Sequence, residues 1–280
     1  MRNRLITLSA LVSLLPLLVW WRDFSRLFFF HDDWELLQGA ATNPLISWLF
    51  QPFSGEGVFP LFKLLWITAV RLTGGSYLAM IVLLWLTHFI VLLVLGHLLL
   101  RLGCSQPAAA FAVITLGLPW SNMDTLSWSM QWNALLAILF LLIAWHLLLN
   151  LLEGNGSLVL YVACVLACGL VSTRGVFYGA VLAAFVFVTD RRKSALMVWS
   201  LAPSILLTAV TLLVKGHRHP EWSAPLSASL SFAAHNLFLN PLYTLISYPG
   251  RRVGTPALLL FGAVDFAMAA WTWGALRNAP

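Results

Sequence analysis

Charge is what this sequence has least of. Of its 280 residues only 9% are Asp, Glu, Lys or Arg, where soluble domains carry about 25%. A soluble fold of that composition would have to clothe its surface in Leu, Phe and Trp, and it would aggregate. Cysteine is scarce as well: Cys104, Cys164 and Cys168 cannot make a disulfide framework. Cys164 and Cys168 are four apart on an apolar stretch and so share a helix face, where small residues suit a helix contact. No basic run is longer than Arg191-Arg192-Lys193. The net charge of +6 and pI of 9.7 therefore give nucleic-acid binding no support. They suit cytoplasmic anchoring and contact with anionic groups. Internal repeats and low-complexity tracts are missing too.

What fills the chain is apolar: 60% of residues are hydrophobic and the mean hydropathy is +0.87. Disordered, collagenous and disulfide-scaffold classes are out, and a polytopic membrane protein is expected. A span needs about 20 apolar residues, and each must be helical because lipid offers nothing to pair with free backbone groups. The first run, Leu5 to Trp21, ends in Trp20-Trp21-Arg22-Asp23, an aromatic belt with charge behind it rather than a small-residue cleavage site. It reads as a retained span. Further spans are expected at 76–100, 107–120, 132–152, 158–172, 175–189, 195–214 and 255–276, giving an all-α bundle of about eight spans in one membrane-embedded domain, 1–280.

Residues 22–75 are different. Three pieces too short to cross a membrane, Asp33–Ala41, Leu45–Phe50 and Val58–Leu72, are separated by Asn43-Pro44 and Gln51-Pro52-Phe53-Ser54-Gly55-Glu56-Gly57, which are turn and helix-start signals. The expectation is an extracytoplasmic loop of interfacial helices, with Lys63 and Arg71 snorkelling from the last of them. Arg2, Arg4, Arg101, Arg191-Arg192-Lys193 and Arg277 fall on one side, taken as cytoplasmic. The remaining cations fall on the other, where a site for an anionic substrate would account for them.

The strongest chemical candidate is Phe28-Phe29-Phe30-His31-Asp32-Asp33-Trp34-Glu35. Adjacent carboxylates at a membrane surface are costly unless solvated or used. One can serve as a general base, or both can help hold a divalent cation such as Mg or Mn. Arg174, Lys215, Arg218, Arg251 and Arg252 are candidates for phosphate contacts. Arg174 stands out because it interrupts apolar sequence, where a charge is expensive. Each also has a plainer reading, as a solvated loop or a snorkelling arginine. His88, His97 and His146 are expected to hydrogen-bond neighbouring helices. The His217-Arg218-His219 pair is a weak metal motif, and Asp265 falls mid-span, either paired or used.

An apolar first helix, then His31-Asp32-Asp33-Trp34, then Gly55-Glu56-Gly57-Val58-Phe59-Pro60-Leu61-Phe62-Lys63 and Gly74-Gly75-Ser76-Tyr77 resembles the GT-C superfamily of membrane glycosyltransferases. That group includes the protein O-mannosyltransferases and the lipid A aminoarabinose transferase. Ser127-Trp128-Ser129-Met130-Gln131 and Ser172-Thr173-Arg174-Gly175 resemble Trp-x-x-Gln-like and Arg-Gly-like segments of bacterial members. The resemblance implies transfer of a sugar from a polyprenyl-phosphate donor to a lipid, glycan or protein acceptor outside the bacterial inner membrane, with inversion. It implies Asp32 as the base, with Asp33 the alternative, and Arg174 with Arg251 or Arg252 on the departing phosphate. His31, Glu56 and Lys63 join them as substrate-binding candidates. Some members need a divalent metal and others do not. Members are usually longer, so a short or truncated member is expected from a chain stopping at Pro280. A transporter or flippase, or a non-catalytic membrane subunit, are the competing readings.

Overall fold

The computed structural model describes residues 2–53, 57–117, 125–215 and the isolated Ala263. The chain divides into two compact units, Met1–Leu118 with Thr125–His217, and Pro119–Asp124 with Arg218–Pro280. Apart from Ala263, the second unit lies outside the described residues; so do His217–His219, Arg251, Arg252, Asp265 and all but Ala263 of the expected span at 255–276.

The described residues are helical, their one bridge being an isolated antiparallel pair, Phe53 with Gly57. α1 runs Arg2–Val19 and a single turn, α2, Trp21–Phe24. The loop region holds α3 (Asp32–Thr42), α4 (Leu45–Leu49) and α5 (Pro60–Leu72), the three short pieces expected from its turn signals. α6 (Tyr77–Arg101) and α7 (Gln106–Gly117) follow. After a 3-10 turn at Ser129–Gln131 come α8 (Trp132–Leu152) and α9 (Leu158–Val171). A second 3-10 turn, Thr173–Phe177, leads to α10 (Tyr178–Thr189) and α11 (Ser194–Lys215).

Local chemistry sets these boundaries. Pro60 opens α5, where its fixed φ and missing N–H cost nothing. The Ser76 and Ser157 hydroxyls accept the Ala79 and Leu160 amides, capping α6 and α9. α6 and α8 stop at Gly103 and Gly154, whose φ angles of 87° and 84° are open to glycine at little cost. The amides two residues past the caps, of Cys104 and Asn155, return to the carbonyls of Leu99 and Asn150 and close Schellman motifs.

Two helical stretches, Tyr77–Arg101 and Ser129–Leu152, are long and apolar enough to cross a membrane. Shorter apolar helices cover Ile6–Val19, Gln106–Gly117, Leu158–Val171, Thr173–Thr189 and Ser194–Val210. At a rise of 1.5 Å per residue, α7 is only about 18 Å long. The outer faces of these helices are apolar: Leu18, Phe111, Val159, Val198 and Ile205 are all more than half exposed. Water would not tolerate such a surface.

Neighbouring helices share small buried clusters. Val12, Leu92 and Val113 join α1, α6 and α7, while Val91, Leu98 and Leu142 join α6 to α8. Ala144, Leu148, Tyr161, Val165, Leu182 and Val186 join α8, α9 and α10. Cys168 is buried and Cys164 packs against this last cluster, the helix-contact role expected of them. His88 bonds across to the Gly117 carbonyl (3.4 Å), as expected. His97 does not: its Nδ1 bonds the Leu93 carbonyl of its own helix at 2.8 Å, the nearest acceptor one turn back. α10 meets α11 at small residues, where a Cβ on Gly179 would run into the Ser200 carbonyl. The Tyr161 hydroxyl and Ser200 Oγ share a hydrogen bond there between α9 and α11.

The two ends of this bundle differ. At one, Arg101 pairs with Glu153 (2.8 Å) and donates to the His146 carbonyl, while Lys193 Nζ donates to the Leu152 carbonyl. Of the cations assigned to one side from sequence, Arg101 and Lys193 lie at this end. At the other lie α3 to α5, the start of α6 and the two 3-10 turns. Gly175 fixes the second of these turns, since a Cβ there would collide with the Cys168 carbonyl. Gly175→Ala should therefore cost on the order of 1–3 kcal/mol. Its thermal unfolding midpoint in detergent should fall below wild type, and an unchanged midpoint would show that the turn can give way.

Candidate functional site

The acidic pair opens α3, and the helix splits its two members. Asp33 and Leu36, one turn apart, are both fully buried. Asp32 lies on the face shared with Glu35, Gly39 and Thr42, at three- and four-residue intervals, and is half-buried.

Asp33 is held from several directions. The Ser129 hydroxyl donates to its Oδ1 at 2.5 Å, and the Phe30 amide to Oδ2 at 3.4 Å. The Met130 amide also contributes. Ser129 Oγ in turn accepts Trp66 Nε1 of α5 at 3.2 Å. The Tyr77 hydroxyl donates to the Ser127 carbonyl (3.0 Å) and accepts the Ser129 amide (3.3 Å). One buried network thus ties α3, α5, the head of α6 and the Ser129 turn together. Aromatic rings wall it: Phe29 lies edge-on to Trp34, Trp66 and Tyr77, and Phe30 stacks on Trp128. Burial pushes the Asp33 carboxyl up from 3.8 to about 6, against the opposing Ser129, Phe30 and Met130 hydrogen bonds, while the Asp32 charge adds to the rise.

His31 precedes α3 with φ 46° and ψ −121°, and the Asp33 amide donates to the Phe30 carbonyl at 3.1 Å. That is a type II′ turn with histidine where glycine is usual. Among the described residues His31 is the one non-glycine with positive φ, a strain of roughly 1–3 kcal/mol. Its exposed ring lies against Phe30 and Trp128.

Lys63 departs from expectation. It does not snorkel: it is 1% exposed. Its Nζ donates to the Trp48 and Gln51 carbonyls, both at 2.8 Å, and sits 5.3 Å from the Trp48 ring centre. The inward face of α5 also carries Phe62, Trp66 and Val70, so Lys63 points into the loop region's own core. Desolvation lowers its pKa from 10.5 to about 8, opposed by the charge of Glu35. Arg71, at the other end of α5, is exposed as expected.

Arg174 is exposed on the second 3-10 turn. Its neighbour Thr173 touches the backbone at Gly57, where a Cβ would meet the threonine methyl. A small cavity of about 60 Å³ is lined beside it by Phe50, Val58, Leu170, Val176 and Leu207. The structure thus brings the Arg174 turn against the loop of short helices, with an apolar recess between them. Glu56, Arg251 and Arg252 lie outside the described residues. Sequence reasoning passed over Tyr77, Trp66 and Ser129 as partners of the acidic pair. Their one signal was the polar Ser127-Trp128-Ser129 opening an otherwise apolar helix.

Among the described residues no three His, Cys, Asp or Glu side chains gather as a metal site. No protein-family model matches the chain, and no curated protein and no solved structure matches it either.

The raised Asp33 pKa makes stability depend on pH. Between about 4 and 6 the folded chain holds a proton that the unfolded chain has lost. This contribution is full below 3.8 and is lost as pH rises through about 6. It is worth roughly 2–3 kcal/mol across that window. Wild type should unfold at lower denaturant or temperature at pH 7 than at pH 5, and Asp33→Asn should flatten that slope. Ser129→Ala, which removes a hydrogen bond to the ionised form, should move the protonation of Asp33 further up, read from its carboxyl infrared band.

Proposed function

We propose that this chain is a polytopic membrane glycosyltransferase of the GT-C kind, with about eight spans and its N-terminus in the bacterial cytoplasm. It would move a sugar from a polyprenyl-phosphate donor to an acceptor hydroxyl on the opposite face. The observation that carries the reading is the division of labour in the acidic pair. Asp33 is sealed into the helix network, and this fixes the position of Asp32, which stays partly open at the head of α3.

In the proposed reaction the Asp32 carboxylate takes the proton of the acceptor hydroxyl. The hydroxyl oxygen forms a bond to the anomeric carbon as the bond from that carbon to the phosphate oxygen breaks. The electron pair leaves with polyprenyl phosphate, an anion stable enough to need no strong general acid. Arg174 is positioned on the same end of the bundle to stabilise it, and the recess beside Thr173 offers apolar surface to the first part of a lipid tail. Asp33 is a positioning residue here, revising the expectation that either acid could be the base. Arg251 and Arg252 remain proposed phosphate contacts. The strained His31 fits a residue kept for its side chain rather than its turn geometry.

The test is release of polyprenyl phosphate from proteoliposomes given a panel of polyprenyl-phosphate sugars and acceptor membranes. Wild type should release it and Asp32→Asn should not, with insertion unchanged. Arg174→Ala should lose about 10²–10³-fold in kcat, the loss typical of removing one transition-state donor. Retained activity in Asp32→Asn would overturn the base assignment. Movement of intact donor across the bilayer without release would instead make the chain a flippase.

A further inference from the structure

The end of the bundle away from the loop helices carries cations of two kinds, those with a partner and those without. Arg101 pairs with Glu153 and donates to the His146 carbonyl, and Lys193 Nζ donates to the Leu152 carbonyl. Both lie against the C-terminal end of α8, where the helix dipole favours positive charge. Arg191 and Arg192 stand beside Lys193 in the turn between α10 and α11, and both are exposed. Neither guanidinium forms an ion pair or a hydrogen bond with a described residue.

The turn holds these two side chains in place. Asp190 Oδ1 accepts the Arg192 amide at 3.1 Å, and the Asp190 backbone carbonyl accepts the Lys193 amide at 3.1 Å. The backbone is thus set by an Asx-type turn. Arg191 folds back one helical turn and lays its guanidinium over the Phe187 ring, 4.5 Å from the ring centre. Such stacking uses the face of the guanidinium and leaves its in-plane N–H donors free. An arginine so placed offers the flat fork that pairs with two oxygens of one phosphate.

Apolar surface starts close to these donors. Phe187 is exposed on α10, Val198 and Trp199 are exposed within two turns of the start of α11, and Ile205 and Leu206 carry the exposed apolar run further along it. A ligand that meets both parts carries an anionic phosphate at one end and hydrocarbon at the other. A free phosphate would leave the apolar surface uncovered. A zwitterionic headgroup would bring its own ammonium against two unpaired cations, where like charges repel. An anionic phospholipid has neither fault, and arginines at a membrane surface draw it there.

We propose that the α10–α11 turn is a binding site for an anionic phospholipid, with Arg191 and Arg192 on the headgroup phosphate and the acyl chains along the exposed apolar side chains of α10 and α11. Arg101 and Lys193, already partnered, hold the end of α8 and stand outside the site. The site would fill whether or not the chain transfers a sugar.

The test gives the full chain, in a non-ionic detergent, either phosphatidylglycerol or phosphatidylcholine and counts the lipids retained by native mass spectrometry. Wild type should retain phosphatidylglycerol well above phosphatidylcholine. Arg191→Gln and Arg192→Gln should each lower the apparent affinity for phosphatidylglycerol about fivefold, the factor expected for one cation at a membrane surface. Neither should change that for phosphatidylcholine. Arg71→Gln, which removes an exposed arginine from the opposite end of the bundle, should affect neither lipid. Equal retention of the two lipids by wild type would overturn the site without recourse to any variant. So would an equal loss in Arg71→Gln, which would mark a response to net charge alone. Displacement of phosphatidylglycerol by excess inorganic phosphate would also overturn it, since the turn would then hold a phosphate with no call on the lipid.

Discussion

The fold at the end that holds α3 to α5 depends on one buried carboxylate. Asp33 sits at zero exposure among Phe29, Phe30, Trp66 and Tyr77, and it is tolerable there only because Ser129 and two backbone amides point at it. An unsatisfied carboxylate in such surroundings would cost several kcal/mol. Satisfied, it pins α3 to a turn nearly a hundred residues away in the chain. Trp66 and Tyr77 join the same hydrogen-bond set and carry α5 and the head of α6 with them. Short helices with little core of their own thereby become a fixed platform on the long apolar helices.

That anchoring gives adjacent residues different work. Consecutive positions on a helix are 100° apart, so once Asp33 is turned inward Asp32 must look sideways, along the face that carries Glu35, Gly39 and Thr42. A sealed carboxylate with a raised pKa and a half-open one beside it are set by geometry. The same logic treats Lys63 and Arg71: eight apart on α5, one is turned into the loop region's core and the other to the outside.

The helices were legible because lipid-facing helices leave a strong signal in sequence. Apolar runs, Ser at the caps of α6 and α9, Pro60 at the start of α5 and glycine after α6 and α8 place helices over seven of the expected apolar stretches, two of them long enough to cross a membrane, and all three loop helices close to where they lie. The acidic pair was legible as a candidate because charge is so rare here. Its partners were not. Ser129 and Tyr77 are ordinary residues at the ends of apolar helices, and nothing in their local sequence names an aspartate far up the chain. Lys63 was misread because a lysine among Leu, Trp and Phe has the same local pattern whether it snorkels or turns inward to carbonyls.

The sequence by itself determined the helical class of the fold, the order of its helices and the clustering of unusual charge in residues 22–75, since composition and periodicity act locally and survive in a linear reading. Only the tertiary structure decided which of two neighbouring aspartates is sealed and which is open, that the Arg174 turn touches the loop at Gly57, and that Lys63 turns inward to carbonyls. Those outcomes come from contacts between distant segments. The reason is that burial and hydrogen-bond satisfaction belong to the packed whole, where each buried polar group needs a partner that the chain supplies from far away.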